Sequence, residues 1–142
     1  MNKNQTQNFY IPSNFQELKK GCGPKITLDV VAPSQCQDLI GTIHEPIRTH
    51  LDPAWLFEIG LPLENARALS LIGRDGQEAR NSSLIQKLDF DARKALTKSG
   101  NIYGFDKIHT ENPDEILSHL LVMLSSWGLA DLAGIPQFFY ED

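Results

Sequence analysis

The sequence predicts a helix-rich α+β domain, in which a small sheet of two to four strands packs against two main helices. Two stretches, at about residues 83–98 and 113–127, repeat apolar residues at helical spacing. One short stretch near residue 28 alternates apolar and polar residues, as a half-buried strand does. Strands and helices do not alternate regularly along the chain, so a doubly wound parallel sheet is not expected.

The length of 142 residues fits one domain of ordinary size. The first residues are rich in Asn and Gln, so we expect a flexible segment over 1–12 and a single globular α+β domain over 13–142. The formal net charge is −5, which disfavours binding to nucleic acid or to an anionic membrane surface. An acidic surface is compatible with a basic protein partner.

The N-terminal part predicts one helix and one strand. In "SNFQELKKG", Ser13 can cap a short helix that Gly21 ends. In "KITLDVVAP", the alternating apolar residues predict a strand; they are Ile26, Leu28 and Val30.

The middle of the chain is ambiguous. "SQCQDLIGTIHEPIRTHL" has apolar residues at helical spacing, but Pro46 interrupts them, so we expect a helix with a kink or break near His44. Asp52 and the proline after it predict a second helix start. Residues 56–80 stay open, because "ARALSLIG" fits a strand before the turn "GRDG" and equally a helix continued from "PLENA".

The C-terminal half predicts both main helices. In "NSSLIQKLDFDARKALTKSG", six apolar residues fall on one side of a helix: Leu84, Ile85, Leu88, Ala92, Ala95 and Leu96. "NIYGFDKIH" is short and aromatic and fits a strand. In "ENPDEILSHLLVMLSSWG", Asn112 can cap, Pro113 takes the first helical position and Gly128 ends the helix. We expect this helix to be central to the core.

Motifs for chemistry are weak throughout the sequence. There is no phosphate-binding glycine motif, and Pro24 removes a backbone N–H from "GCGP". Cys36 is in phase with apolar residues, which favours a core position over a nucleophile. Neither Cys36 nor Cys22 has the paired spacing of a zinc site. No cofactor is therefore predicted, and an enzyme is the less favoured class.

One segment supports an alternative hypothesis. "HEPIRTHLD" brings histidines and acids together, so a small enzyme or metal-dependent subunit could use His44, His50 and Asp52 as ligands and Glu45 as a base. The hypothesis is disfavoured because Pro46 splits the segment and the histidine spacing does not place both rings on one helix face.

The favoured hypothesis is a small acidic protein–protein interaction module of the inhibitor, immunity or antitoxin, adaptor or chaperone type. The polar N-terminus does not resemble a secretory signal, which predicts a cytoplasmic location, where the two cysteines would stay reduced. The partner is expected to be another protein, either a basic one or a second copy in a homodimer, and neither nucleic acid nor membrane. The predicted anchors are the aromatic and acidic tail, with Trp55 as a further candidate; the sequence leaves open the alternative that the tail folds back and packs on the core. The tail residues are Phe138, Phe139, Tyr140, Glu141 and Asp142.

Overall fold

The computed structural model describes residues 11–136. Its helices are α1 (Phe15–Gly21), α2 (Leu117–Ser126) and α3 (Ala130–Ala133). Its strands are β1 (Thr27–Val31), β2 (Thr49–Leu51), β3 (Ala54–Leu61), β4 (Ala66–Asp75), β5 (Glu78–Asp89), β6 (Lys94–Thr97), β7 (Ile102–Phe105) and β8 (Ile108–His109). Short 3-10 turns lie at Pro33–Gln35, Gln37–Leu39, Pro62–Glu64 and Asp114–Ile116.

The sheet is the dominant element of the described chain. Eight strands form one mixed sheet in the order β1-β3-β4-β5-β6-β7-β2, and β8 pairs with β3. The prediction of a helix-rich domain with a sheet of two to four strands is therefore wrong. Of the two predicted main helices, the one at 113–127 is present and the one at 83–98 is replaced by β5 and β6.

The described residues divide into two compact units. The first contains residues 11–28, 60–66 and 112–136, and it carries all three helices. The second contains residues 29–59 and 67–111, and it carries most of the sheet.

A side-chain cap marks the start of α1, whereas α2 and α3 begin without one, so the predicted cap by Asn112 is wrong. Asn14, not Ser13, caps α1, because its side chain accepts the N–H of Glu17 at 2.9 Å. The N–H of Phe15 donates to the Asp114 carboxylate at 2.8 Å. Each helix buries an apolar stripe, formed by Phe15 and Leu18 in α1, Leu120, Leu121 and Leu124 in α2, and Ala130 and Ala133 in α3.

The strands of the second unit pair in a closed circuit. From β3 the pairing passes through β4, β5, β6 and β7, and β8 continues β7 and pairs back with β3. The parallel pairs β2–β7 and β3–β8 have the same register, because Leu51 pairs with Phe105 and Ala54 with Ile108, so the two partners are equally far apart in sequence in both pairs. The chain between β2 and β3 is only Asp52 and Pro53. These two residues therefore form a strand connection and not the predicted helix start.

Two bulges explain why β5 resembles a helix in sequence. At the first bulge, three residue positions along β5 span the same distance as two positions along β4. At the second bulge, two positions along β5 span one position along β6, so each bulge adds one residue to β5. Each extra residue shifts the strand's alternation by one position. The buried residues Ser82, Ile85 and Leu88 are therefore spaced by three, as they would be on one face of a helix.

The expected kinked helix around His44 is also absent. The chain there makes two 3-10 turns and then extends, and Ile40 forms a parallel bridge with Leu88. Gly41 and Pro46 both disfavour a helix interior, by about 1 and 3 kcal/mol. The extended path gives the backbone a partner on β5 instead.

The core of the second unit lies among the strands of this circuit. Its buried members are Val31, Cys36, Leu51, Ala54, Leu56, Leu69, Leu71, Ile85, Leu88, Ala95 and Phe105. Both faces of β3 are buried, which accounts for its continuous apolar run "AWLF". The open question of residues 56–80 is resolved as strands, with a turn at Gly76, whose positive φ of 66° suits glycine.

Candidate functional site

A small cavity lies where β4 and β5 part. Their antiparallel pairing ends at Ser70 and Leu84, after which β5 pairs with β6. The 3-10 turn Gln37–Leu39 supplies the third side of the opening. The cavity measures about 180 Å³ and is lined by Asp38, Leu39, Arg67, Ala68, Leu69, Leu84 and Ile85.

The size of this cavity suits one side chain. Sites for cofactors and drug-sized ligands measure about 300–1,000 Å³, whereas an aliphatic cavity of about 150 Å³ holds a benzene molecule. Leu69 and Ile85 are buried, and Leu84 is 37% exposed. An aliphatic or aromatic side chain from outside could therefore lie against Leu84 and reach the buried pair.

A second cavity lies beside the first. It measures about 340 Å³ and is lined by Ile40, Gly41, Thr42, Asp89, Phe90 and Asp91. Segment 38–42 thus contributes to both cavities, its first two residues to one and its last three to the other. Ile40 is 48% exposed at the second cavity, as Leu84 is 37% exposed at the first.

Backbone hydrogen bonds hold segment 38–42 and the residues after it in place. Gly41 N–H donates to the Leu88 carbonyl at 2.9 Å, and Ile43 N–H donates to Asp89 Oδ2 at 2.9 Å. Lys87 Nζ donates to the Thr42 carbonyl at 3.4 Å. The walls of both cavities are therefore preorganised, which reduces the entropy lost on binding.

Asp89 joins this segment to the turn after β5. Its second carboxylate oxygen accepts the N–H of Ala92 at 3.0 Å. The hydrogen bonds from Ala92 and Ile43 lower the pKa of Asp89 below its ordinary value of 3.8. The folded protein therefore prefers the ionised carboxylate.

We expect Asp89→Asn to lower the stability most at neutral pH. A carboxyl group whose pKa is depressed by folding contributes stability that is complete above the unfolded pKa and is lost as the pH falls through the folded one. The difference in urea midpoint between wild type and variant should therefore shrink as the pH falls below 3.8. Asp38→Asn, at an exposed carboxylate, serves as the control, and a difference that stays constant with pH would contradict the role of the Asp89 charge.

Burial makes Cys36 a core residue. It is fully buried, and its thiol lies 3.7 Å from the Ala32 carbonyl. Burial is the largest influence on this thiol and raises its pKa, so the thiolate that a nucleophile requires is disfavoured. The core position indicated by its phase in the sequence is confirmed.

The structure does not bring the proposed metal ligands together. His44, Glu45 and Asp52 are exposed, and His50 Nε2 lies 3.2 Å from Asp106 Oδ1. Within residues 11–136, no group of three or more His, Cys, Asp or Glu side chains is arranged to hold a metal ion. No observation on the described residues favours the metal-dependent alternative.

Of the predicted anchors, the structure describes Trp55 but not the tail residues. Trp55 is only 2% exposed, its indole N–H donates to the Glu111 carbonyl at 2.9 Å, and its ring lies 5.5 Å from that of His109. It is therefore not part of the surface. The tail residues Phe138, Phe139, Tyr140, Glu141 and Asp142 lie outside the described residues, and their role stays a prediction.

A histidine–carboxylate pair lies next to Trp55. His109 Nδ1 is 2.9 Å from Glu111 Oε2. The backbone N–H of Glu111 and the imidazole lower the pKa of the Glu111 carboxyl group. Such a pair can orient an imidazole for proton transfer, but it lines neither of the two cavities.

Sequence reasoning missed the residues that line the cavities. Leu84 and Ile85 were assigned to a helix face, and Leu39 and Ile40 to another. The one available signal was Gly41 directly after two apolar residues, within a stretch bounded by prolines, which favours extended chain over helix.

Comparison of the chain with protein-family models, with curated proteins and with solved structures gave no significant match. A functional proposal for this chain therefore depends on its own geometry. Within the described part of the chain, no helix is long and apolar enough to cross a membrane.

Proposed function

We propose that this chain is a small acidic protein–protein interaction module, which accepts a bulky apolar side chain of its partner in the cavity between β4 and β5. The observation that carries the proposal is the cavity itself, with its side-chain volume and its buried floor of Leu69 and Ile85. Binding energy at interfaces concentrates in such well-packed pockets, each filled by one anchor residue.

The surroundings of the cavity support a protein partner. Single exposed apolar residues are common on protein surfaces, but Leu84 and Ile40 are exposed beside neighbouring cavities. Exposed apolar residues at a cavity, surrounded by polar groups, resemble the centre of an interface. The charge of −5 favours encounter with a basic partner.

The proposal also covers the type of interaction protein, its location and a second contact with the partner. The types that fit are inhibitor, immunity or antitoxin protein, adaptor and chaperone, acting in the cytoplasm. Cys22 and Cys36 are both free thiols, as a reducing compartment favours. The aromatic and acidic tail is proposed as a second contact with the partner.

Paired surface variants test the cavity. Leu84→Glu places a charge at its rim, and Leu63→Glu makes the same change at a residue that is 75% exposed and lies in the turn Pro62–Glu64. Partners are captured from native lysate with each variant and quantified by mass spectrometry. We expect Leu84→Glu to reduce recovery of one partner at least about tenfold, because an anchor contact contributes about 2 kcal/mol or more.

The control variant should retain the partner, and both variants should keep the melting temperature of the wild type. A truncation that removes residues 137–142 is the second arm of the same experiment. Loss of the partner in the truncation alone would assign the contact to the tail. Retention of every partner by Leu84→Glu would contradict the role of the cavity.

A further inference from the structure

We infer that the partner segment is basic as well as apolar, with a bulky apolar residue flanked by lysine or arginine. This inference rests on the function proposed above and adds the charge of the ligand. It follows from which charged groups around the two cavities are already used within the fold.

The cationic side chains near the cavities have internal acceptors. Arg67, which lines the first cavity, pairs with the Glu58 carboxylate. Lys87 Nζ donates to the Thr42 carbonyl at 3.4 Å, and Lys94 Nζ donates to the Glu45 carbonyl at 2.6 Å. The charge of Arg67 is therefore balanced within the fold, and neither Lys87 nor Lys94 lines a cavity.

The acidic side chains differ from one another. Asp89 is saturated, since its two oxygens accept the backbone N–H groups described above. Asp38 lines the first cavity and Asp91 the second, and both are exposed. Within residues 11–136, the side chains of Asp38 and Asp91 make no hydrogen bond or ion pair.

The first cavity therefore has a mainly aliphatic lining with the available carboxylate of Asp38, and the second combines Ile40 and Phe90 with that of Asp91. An acidic ligand would be repelled, whereas a cation beside each carboxylate would complement it. Because Asp38 and Asp91 border neighbouring cavities, basic residues on both sides of the apolar anchor are the pattern that we infer. In an extended segment, successive residues advance by about 3.3 Å, so residues that flank the anchor can reach past the edge of the cavity.

Three synthetic peptides test the inference by NMR titration of the ¹⁵N-labelled full-length chain. The first has a central phenylalanine flanked by lysines, the second replaces the lysines with glutamates, and the third replaces the phenylalanine with alanine. We expect the first peptide to shift the amide signals of Leu39, Ile40, Ala68 and Leu84. The other two should bind at least roughly fivefold more weakly.

Charge variants test whether the Asp38 carboxylate contributes to binding of the lysine peptide. Asp38→Asn should weaken the first peptide by roughly two- to fivefold, as expected for an exposed ion pair, and added salt should act in the same direction. Glu64→Gln, which removes an exposed acid in the turn Pro62–Glu64, should leave binding unchanged.

Equal binding of the lysine and glutamate peptides, or no shift with any peptide, would overturn the inferred charge. Neither result would affect the proposed function if partner capture still depends on Leu84. Conversely, if Leu84→Glu and the wild type captured the same amount of every partner, the proposed function would be contradicted even if the lysine peptide binds.

Discussion

Trp55→Ala should lower the free energy of unfolding by roughly 3–5 kcal/mol, the usual cost of removing a buried aromatic side chain. Trp55 is only 2% exposed and lies on β3, a strand buried on both faces. Its removal also leaves the Glu111 carbonyl without the indole N–H that it accepts at 2.9 Å. A loss of this size is a large part of the 5–15 kcal/mol that typically stabilises a domain.

Urea unfolding followed by circular dichroism measures this loss. Trp55→Phe keeps one aromatic ring but removes the indole N–H and part of the ring volume, so it should cost less, about 1–2 kcal/mol. Leu63→Ala, at an exposed position, should change the midpoint little. If Trp55→Ala kept the wild-type midpoint but lost a captured partner, Trp55 would be a surface anchor, as its sequence alone suggested.

Elements with local signals could be predicted from the sequence. The helix α2 follows Asn112, Pro113 and two acidic residues, and its apolar stripe has a regular helical period. The strand β1 is present where the sequence alternates before Pro33, and Ile26 and Leu28 are buried as predicted, although Val31 is buried in place of Val30. Both elements are specified by neighbouring residues, so no knowledge of the distant chain was needed.

Elements that depend on distant pairing could not be predicted. The spacing of Ser82, Ile85 and Leu88 is helical, but it arises from two bulges that exist only because β4 and β6 pair with β5. At the first bulge the Ser82 hydroxyl accepts the N–H of Leu71 at 2.9 Å. Long-range hydrogen bonds of this kind override a local periodicity.

The candidate site, like β5, depends on distant pairing and could not be predicted from the sequence. Three stretches distant in sequence form the first cavity: Asp38 and Leu39, Arg67 to Leu69, and Leu84 with Ile85. None of them carries a motif, because a pocket for one side chain needs only apolar residues at the right separation. Their convergence is set by the point at which β4 and β5 part, and this point follows from the bulge and not from residue type.

Gly73→Ala should be the most disruptive single methyl addition in β4. A Cβ atom at this position would overlap the Pro53 carbonyl oxygen and lie 3.0 Å from Ala54 Cα. Both are backbone atoms, so no side-chain rotation can relieve the contact. The same carbonyl accepts the N–H of Arg74 at 3.1 Å, and this bond would break if the strands separated.

We expect Gly73→Ala to lower the free energy of unfolding by at least about 3 kcal/mol, or to prevent folding. Gly23→Ala is the matched control, because its added Cβ would have the Leu132 carbonyl oxygen as nearest neighbour at 4.0 Å. The control should stay within about 1 kcal/mol of wild type. Equal stability of both variants by urea unfolding would mean that β3 and β4 do not approach as closely as described. Since β4 also carries Arg67, Ala68 and Leu69, a Gly73→Ala protein that folds with a displaced β4 should lose binding of the lysine peptide while Gly23→Ala retains it.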